Sequence, residues 1–320
     1  MISIDVDEIP DSKWNNRLLS SGLGTIYQTK EMKINYERQG QKPLFLKFIN
    51  TKGNIIGQLL LRESSRFAKK GIAGSALKKI PGMKNLVYIW NYGPVIFDQE
   101  ADEDVYLSLE KFLMKKDCKV SGWTHPFFPG NATILSKNFN IQKWGTFIIN
   151  LQKPKDEIYK KIEKHNGRKN IERSLKRGVE IEEINEKSLL EYTELRNKMN
   201  DSQEEDYKKM LQWWRLLKPL GYSGFLARKD GKAIGGLLFS YFDKFIIEGG
   251  VARSSEDTTK KLYAQDLIKW KIIEWGVENR MKFYNLAGFN PKPTSKKEEG
   301  IFRYKKKWGG DIYNYWHINR

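Results

Sequence analysis

The chain has 320 residues and a mass of 37.5 kDa, more than one compact core usually organises, which predicts two domains or one large one. Hydrophobic residues make up 39%, aromatic residues 13% and charged residues 30%, which excludes wholesale disorder and low-complexity scaffolds. Lysine and arginine number 57 against 39 acidic residues, a formal charge of +18. Such a field draws polyanions: nucleic acid, a nucleotide diphosphate or an anionic membrane face. The plainer alternative is a lysine-rich surface kept soluble by self-repulsion.

No run approaches the roughly eighteen apolar residues that a membrane span needs. The opening residues Met1 to Glu8 are acidic and interrupted, unlike a signal peptide. The single cysteine, Cys118, excludes an internal disulfide framework and fits a reducing cytoplasm. With only His125, His165 and His317 beside it, the spacings of a zinc site are missing, so no metal is expected.

In chain order, Leu44 to Asn50 predicts a strand, followed by a tight turn at Gly53-Asn54 into a second strand through Leu61. A strand over Leu86 to Ile96, an amphipathic helix over Val105 to Lys116 and a short strand over Cys118 to Trp123 come next. Lys143-Trp144-Gly145 then opens a β-like run. The same order returns later. Strands over Gly224 to Lys229 and, after Gly231, through Phe239 precede Phe245 to Val251, a helix over Leu262 to Asn279, a strand over Lys282 to Leu286, and Lys307-Trp308-Gly309. Two copies of one α/β unit account for this better than chance does. Between them, Asp156 to Arg177 predicts one nearly continuous helix stopped by Gly178, and Ser188 to Asn200 and Asp206 to Leu217 predict two more. The domain boundary falls near residue 152, giving 1–152 and 153–320.

Each copy reads hairpin, strand, helix, strand, helix, strand, which lacks the regular alternation of a doubly wound dinucleotide fold. It resembles the acyltransferase fold called GNAT, in which a sheet splays open between two neighbouring parallel strands. The expected architecture is therefore mixed α/β, two tandem GNAT-like domains, each a twisted mixed sheet flanked by helices.

Two segments carry candidate chemistry. Lys160 to Arg177 holds eight cations against Glu163 and Glu172, with 161, 164, 168 and 172 on one helix face and 169, 173 and 176 on another. Lys164, Arg168, Lys169, Arg173 and Lys176 are the expected contacts to an RNA backbone or a pyrophosphate. The alternative is a solvated face near the negative helix end. At the C-terminus, Gly300-Ile301-Phe302-Arg303-Tyr304-Lys305-Lys306-Lys307-Trp308-Gly309-Gly310 interleaves aromatics with cations in an amphipathic helix, leaving by two glycines.

That last segment is similar to the closing "G-I/L-x-x-F-K-x-x-F/W-G" signature of the FemABX family. Trp275-Gly276 with Tyr284-Asn285-Leu286-Ala287-Gly288 resembles the stretch that ends "YDLGG", and Arg168 to Val179 resembles the family's "R-x-x-I-R-R-A-x-K-x-G-V" helix. Weaker similarity lies at Ile26-Tyr27-Gln28, Tyr92-Gly93-Pro94 and Trp144 to Leu151. The resemblance implies a tandem GNAT-like enzyme that moves an amino acid from aminoacyl-tRNA to an amine in the stem peptide of a peptidoglycan precursor. With no sustained heptads between Lys187 and Ala227, it implies the compact type without a coiled-coil arm.

By resemblance, Lys305 is the cation that stabilises the oxyanion of aminoacyl transfer, and Tyr304 takes the position of the motif's Phe. Direct attack by the acceptor amine needs no protein nucleophile. Cys118 and His125 read as a buried thiol and a loop histidine before they read as a catalytic pair. Amine deprotonation falls to a substrate carboxylate or to an acid such as Glu248. Arg196 resembles an arginine that contacts the precursor, the alternative being an ion pair with Glu191 or Glu194. The chain departs from the family at Met32 and Tyr36, where a Trp and a precursor-gripping Lys are usual, and at Asn285, where Asp is usual. Tyr36, Arg196, Asn285 and Glu248 are the expected substrate contacts. The implied partners are aminoacyl-tRNA as co-substrate and a nucleotide- or lipid-linked cell-wall precursor, with no cofactor and no stable protein partner. The expected location is the cytoplasm, including the inner membrane face.

Two competing readings stay open. A GNAT N-acyltransferase would use acyl-CoA, whose pyrophosphate needs a Gly-rich turn opening a helix. The corresponding turns, Val251 to Asp257 and Asp98 to Asp102, lack glycine and carry carboxylates. A non-catalytic RNA- or envelope-binding protein would use the basic segment alone.

Overall fold

The structure is a computed structural model that describes residues 2–65, 86–115, 118–199 and 206–320. The chain divides into two compact units, 1–145 with 313–320, and 146–312.

The first unit is built from β1 (Ser3–Asp7), α1 (Trp14–Ser21), α2 (Met32–Arg38), β2 (Lys42–Ile49), β3 (Ile55–Ser65), β4 (Leu86–Trp90), β5 (Val95–Ile96), α3 (Asp102–Met114) and β6 (Cys118–Trp123). The predicted strand over Leu86 to Ile96 is interrupted, because Tyr92 sits at φ 55° and cannot continue a ladder. Antiparallel pairing joins β1 to β2, β2 to β3 and β3 to β4, and β4 runs parallel to β6. Alternation along β2 and β3 buries Leu44, Leu46, Phe48, Leu59 and Leu61 in a core shared with Val105, Leu109 and Leu113 of α3.

The second unit follows with β7 (Asn140–Asn150), α4 (Lys155–Lys161), α5 (Lys169–Lys176), β8 (Glu180–Glu183), α6 (Glu186–Met199), α7 (Tyr207–Leu217), β9 (Tyr222–Lys229), β10 (Lys232–Phe242), β11 (Phe245–Arg253), α8 (Ser255–Thr259), α9 (Ala264–Glu278), β12 (Phe283–Phe289), α10 (Lys296–Lys306) and β13 (Asp311–Asn319). The chain enters this unit within β7 and leaves it within β13. Strands β8 to β11 form antiparallel neighbours, and β11 runs parallel to β12. The repeat is visible in the elements: β2-β3-β4-α3-β6 matches β9-β10-β11-α9-β12 in order and in pairing sense. The fold class expected from the sequence, mixed α/β with a GNAT-like order in each half, is the observed one.

Two boundaries differ from expectation. The tail was expected to stay with the second domain, yet His317 to Asn319 pair with Ser121 to Trp123 and Ile318 is fully buried in the first core. The helix expected over Asp156 to Arg177 breaks at Ile162 and Glu163, both in extended conformation, and resumes as a π-turn over Lys164–Arg168 before α5. The break buries Ile162 beneath Gly167 and lets the Glu163 amide donate to the Lys307 carbonyl at 2.8 Å. The helix ends expected at Lys116 and Asn200 lie outside the described residues. No helix among the described residues is long and apolar enough to cross a membrane.

Candidate active site

The parallel pair β11–β12 is where the second sheet opens. Phe245, Ile246 and Ile247 pair with Phe283, Tyr284 and Asn285, and there the pairing ends although both strands continue. On the outer side of β11 the register against β10 slips, so Gly249 and Gly250 together face Leu238. A bulge bends its strand, and this one lies just past the point where the pairing with β12 ends. A Cβ on Gly249 would come within 2.8 Å of the Leu238 carbonyl, so the close approach needs glycine.

Helix α10 delivers Lys305 to this fork. Its start is capped twice: the Ser295 hydroxyl accepts from the Glu298 amide at 3.3 Å, and the Glu298 carboxylate accepts from the amide of Thr294, just before the cap, at 2.6 Å. Its end turns at Gly309 (φ 72°), where a Cβ would stand 2.5 Å from the Lys161 carbonyl. Between these stops Lys305 Nζ donates to the Gly288 carbonyl on diverging β12 at 2.7 Å.

Around Lys305 lies a buried set of charges. Lys269, on α9, is 1% exposed and pairs with Glu248, the first residue of β11 beyond the paired segment. The Tyr284 hydroxyl donates to the same oxygen, Glu248 Oε2, at 3.0 Å. One turn earlier on α9, Asp266 pairs with Lys307 and accepts from Asn170 Nδ2 at 2.9 Å. The Tyr304 ring lies within cation–π reach of both lysines, 5.0 Å from Lys269 Nζ and 4.3 Å from Lys307 Nζ. Three lysines thus share two carboxylates, and Lys305 makes no ion pair among the described residues. Burial lowers its pKa to about 8, with Glu248 pulling it up and Lys269 pushing it down.

Asp266, Lys269, Tyr284 and Lys307 were not singled out in the sequence. The signal was there: Asp266 and Lys269 interrupt the apolar run of a helix buried on nearly every side, where a charge must have a partner.

The N-terminus of α9 is already closed by a carboxylate. Asp257 is fully buried, accepts from the Ala264 amide at 2.9 Å and pairs with Arg253 Nε at 2.6 Å. In the first unit, Asp102, Glu103 and Asp104 crowd the first turn of α3. There parallel β4 and β6 pair as far as Trp90 and Gly122, with the Trp90 ring so close over Gly122 that a Cβ there would stand 2.0 Å from it.

The remaining expected residues fall as follows. Arg196 lies across the bulge, where a Cβ on Gly250 would meet its Nη1 at 1.8 Å, and that nitrogen donates to the Tyr192 hydroxyl at 3.1 Å. Asn285 is turned inward: its Oδ1 accepts from Thr146 Oγ1 at 2.6 Å and from the Ala287 amide at 2.9 Å, bracing Ala287 at φ 60° rather than facing the opening. Tyr36 is also buried, its ring 4.8 Å beneath the Arg62 guanidinium and its hydroxyl pushed up to about 12 by burial. Arg168 stands over Tyr159 at 5.9 Å, while Arg173 and Arg177 stand over Tyr263 at 5.9 and 5.3 Å. Lys164, Arg173 and Lys176 are exposed and Lys169 is half-buried. Cys118 donates to the Leu113 carbonyl, and His125 Nδ1 accepts from the Phe127 amide, with burial lowering that imidazole to about 3.

Comparison with known proteins fits this geometry. The fold is similar to a structure described as FemX, at 14% identity and a TM-score of 0.69, covering 98% of this chain and 96% of that one. It is also similar to a tandem GNAT protein from the clavulanic acid biosynthesis pathway (9% identity, TM-score 0.57, 100% and 98% covered). A third likeness is to L-PGS from Bacillus licheniformis (11% identity, TM-score 0.56, 98% and 93% covered). No curated protein matches the chain in sequence. Residues 226–316, which hold the open fork and Lys305, match the model of the FemAB family, and the chain folds from end to end like FemX.

Proposed function

We propose that this protein is an aminoacyltransferase that moves an amino acid from aminoacyl-tRNA to an amine of a peptidoglycan-precursor stem peptide or a similar cell-envelope acceptor. The observation that carries this reading is the Lys305 ammonium, held at the open fork with no carboxylate partner among the described residues. When an amine attacks an ester carbonyl, the C–N bond forms, negative charge collects on oxygen, and the C–O bond to ribose then breaks. The amine gives up a proton and the ribose oxygen takes one. A pre-placed cation favours the charged intermediate over the neutral ester. The exposed cations of the α4–α5 segment supply a track for the phosphates of the tRNA. The reaction needs no cofactor and takes place in the cytoplasm, with the precursor at the inner membrane face.

The acyl-CoA reading is disfavoured by Asp257, whose carboxylate occupies the helix N-terminus where a pyrophosphate would otherwise sit. The test offers purified protein charged tRNA or acetyl-CoA as donor and a nucleotide-linked precursor peptide or phosphatidylglycerol as acceptor. Transfer from charged tRNA to the peptide amine supports the proposal. Transfer from acetyl-CoA alone, or from neither donor, overturns it.

A further inference from the structure

The Lys269–Glu248 pair has no evident structural purpose. Both side chains are withdrawn from water, Lys269 at 1% and Glu248 at 8% exposure, and desolvating two charges offsets most of what their attraction returns. An apolar pair of equal volume would pack α9 against β11 at least as well. The pair stands, however, at the point where β11 leaves β12, within electrostatic reach of Lys305.

We propose that Lys269 is a positioning residue of the reaction centre: by engaging Glu248 it keeps that carboxylate from pairing with Lys305, and so leaves the Lys305 ammonium available to the oxyanion. This rests on the aminoacyl-transfer reading given above. Glu248 receives both of its hydrogen bonds, from Lys269 Nζ and Tyr284 Oη, on Oε2. Lys305 is turned instead to a neutral carbonyl, that of Gly288. Without Lys269, the uncompensated carboxylate is left within electrostatic reach of the Lys305 ammonium. Two further charged neighbours are committed elsewhere: Lys307 pairs with Asp266, and Arg253 pairs with Asp257. The Tyr284 hydroxyl stays protonated, its pKa raised well above the ordinary value by burial and by Glu248.

The test has two readouts. In the full chain labelled with 13C at lysine Cε, the Lys305 resonance, assigned by its loss in Lys305→Arg, is titrated with pH. From a wild-type midpoint of about 8, Lys269→Met is expected to raise it by about one unit or more, and Glu248→Gln to lower it. In the transfer assay, Lys269→Met is expected to fall by about tenfold or more, and adding Glu248→Gln to it should recover part of that loss. Recovery of rate in the double variant, compared at equal folded fraction, is the readout that a purely structural Lys269 does not give. An unmoved midpoint in Lys269→Met, or a double variant no faster than the single one, overturns the proposal. Should Lys269→Met fail to fold, Glu248→Gln alone decides, because a midpoint that does not fall removes the carboxylate's influence. The titration needs no substrate, so it stands or falls separately from the identity of the donor and the acceptor.

Discussion

Lys305 Nζ rests 2.7 Å from the carbonyl oxygen of Gly288, and that bond ties the last helix to β12 beyond its paired segment with β11. The carbonyl stabilises the ammonium less than a carboxylate would, so burial prevails and the pKa falls to about 8. Lys305→Ala is expected to slow aminoacyl transfer at least about tenfold, measured as kcat with charged tRNA, while leaving the circular dichroism spectrum unchanged.

The same depressed pKa has a stability consequence. Between about pH 8 and the ordinary lysine range, the unfolded chain binds a proton at Lys305 that the folded chain does not, so folded stability contributed by this site rises with pH across that window. Lys305→Met is therefore expected to raise the denaturant midpoint at pH 7. That gain should shrink as the pH is taken above 8, and a gain independent of pH would contradict the assignment.

Gly309 combines a φ of 72° with a Cβ position 2.5 Å from the Lys161 carbonyl. Gly309→Ala is expected to destabilise the protein by about 1–3 kcal/mol, read as a lowered urea midpoint. Gly300, where a Cβ meets nothing within 4 Å, serves as the control: Gly300→Ala should stabilise α10 slightly.

Asp257 satisfies the first amide of α9 from a fully buried position. Asp257→Ala leaves that amide and Arg253 without their partner and is expected to cost about 1–3 kcal/mol in urea unfolding. Asp257→Asn, which keeps the acceptor oxygen, should cost less.

Arg173 is exposed, with one hydrogen bond to Asn170 at 3.2 Å. Arg173→Ala should weaken tRNA binding and reduce the slope of log affinity against log salt by about 1, with little change in stability. An unchanged salt slope would place the RNA elsewhere.

Local pattern was enough for the elements and their repetition. Alternating apolar residues in β2 and β3, the turns at Gly53 and Gly231, and the cation-aromatic run of α10 depend on neighbours in sequence, and they appear where periodicity puts them. The break at Ile162 did not, because it is set by Gly167 and the Lys307 carbonyl, which compete for that backbone from other elements. Tyr36 and Asn285 looked available as substrate contacts, and only packing turned them inward.

The order of strands and helices, the positive charge and the presence of Lys305 on a helix before a glycine exit were fixed by residues reading only their near neighbours. Which carboxylate each buried lysine meets was decided in three dimensions. Glu248 and Lys269 are 21 positions apart, and Asp266 and Lys307 are 41 apart. Ion pairing depends on distance and burial, which the chain acquires only when β11, α9 and α10 close around the fork.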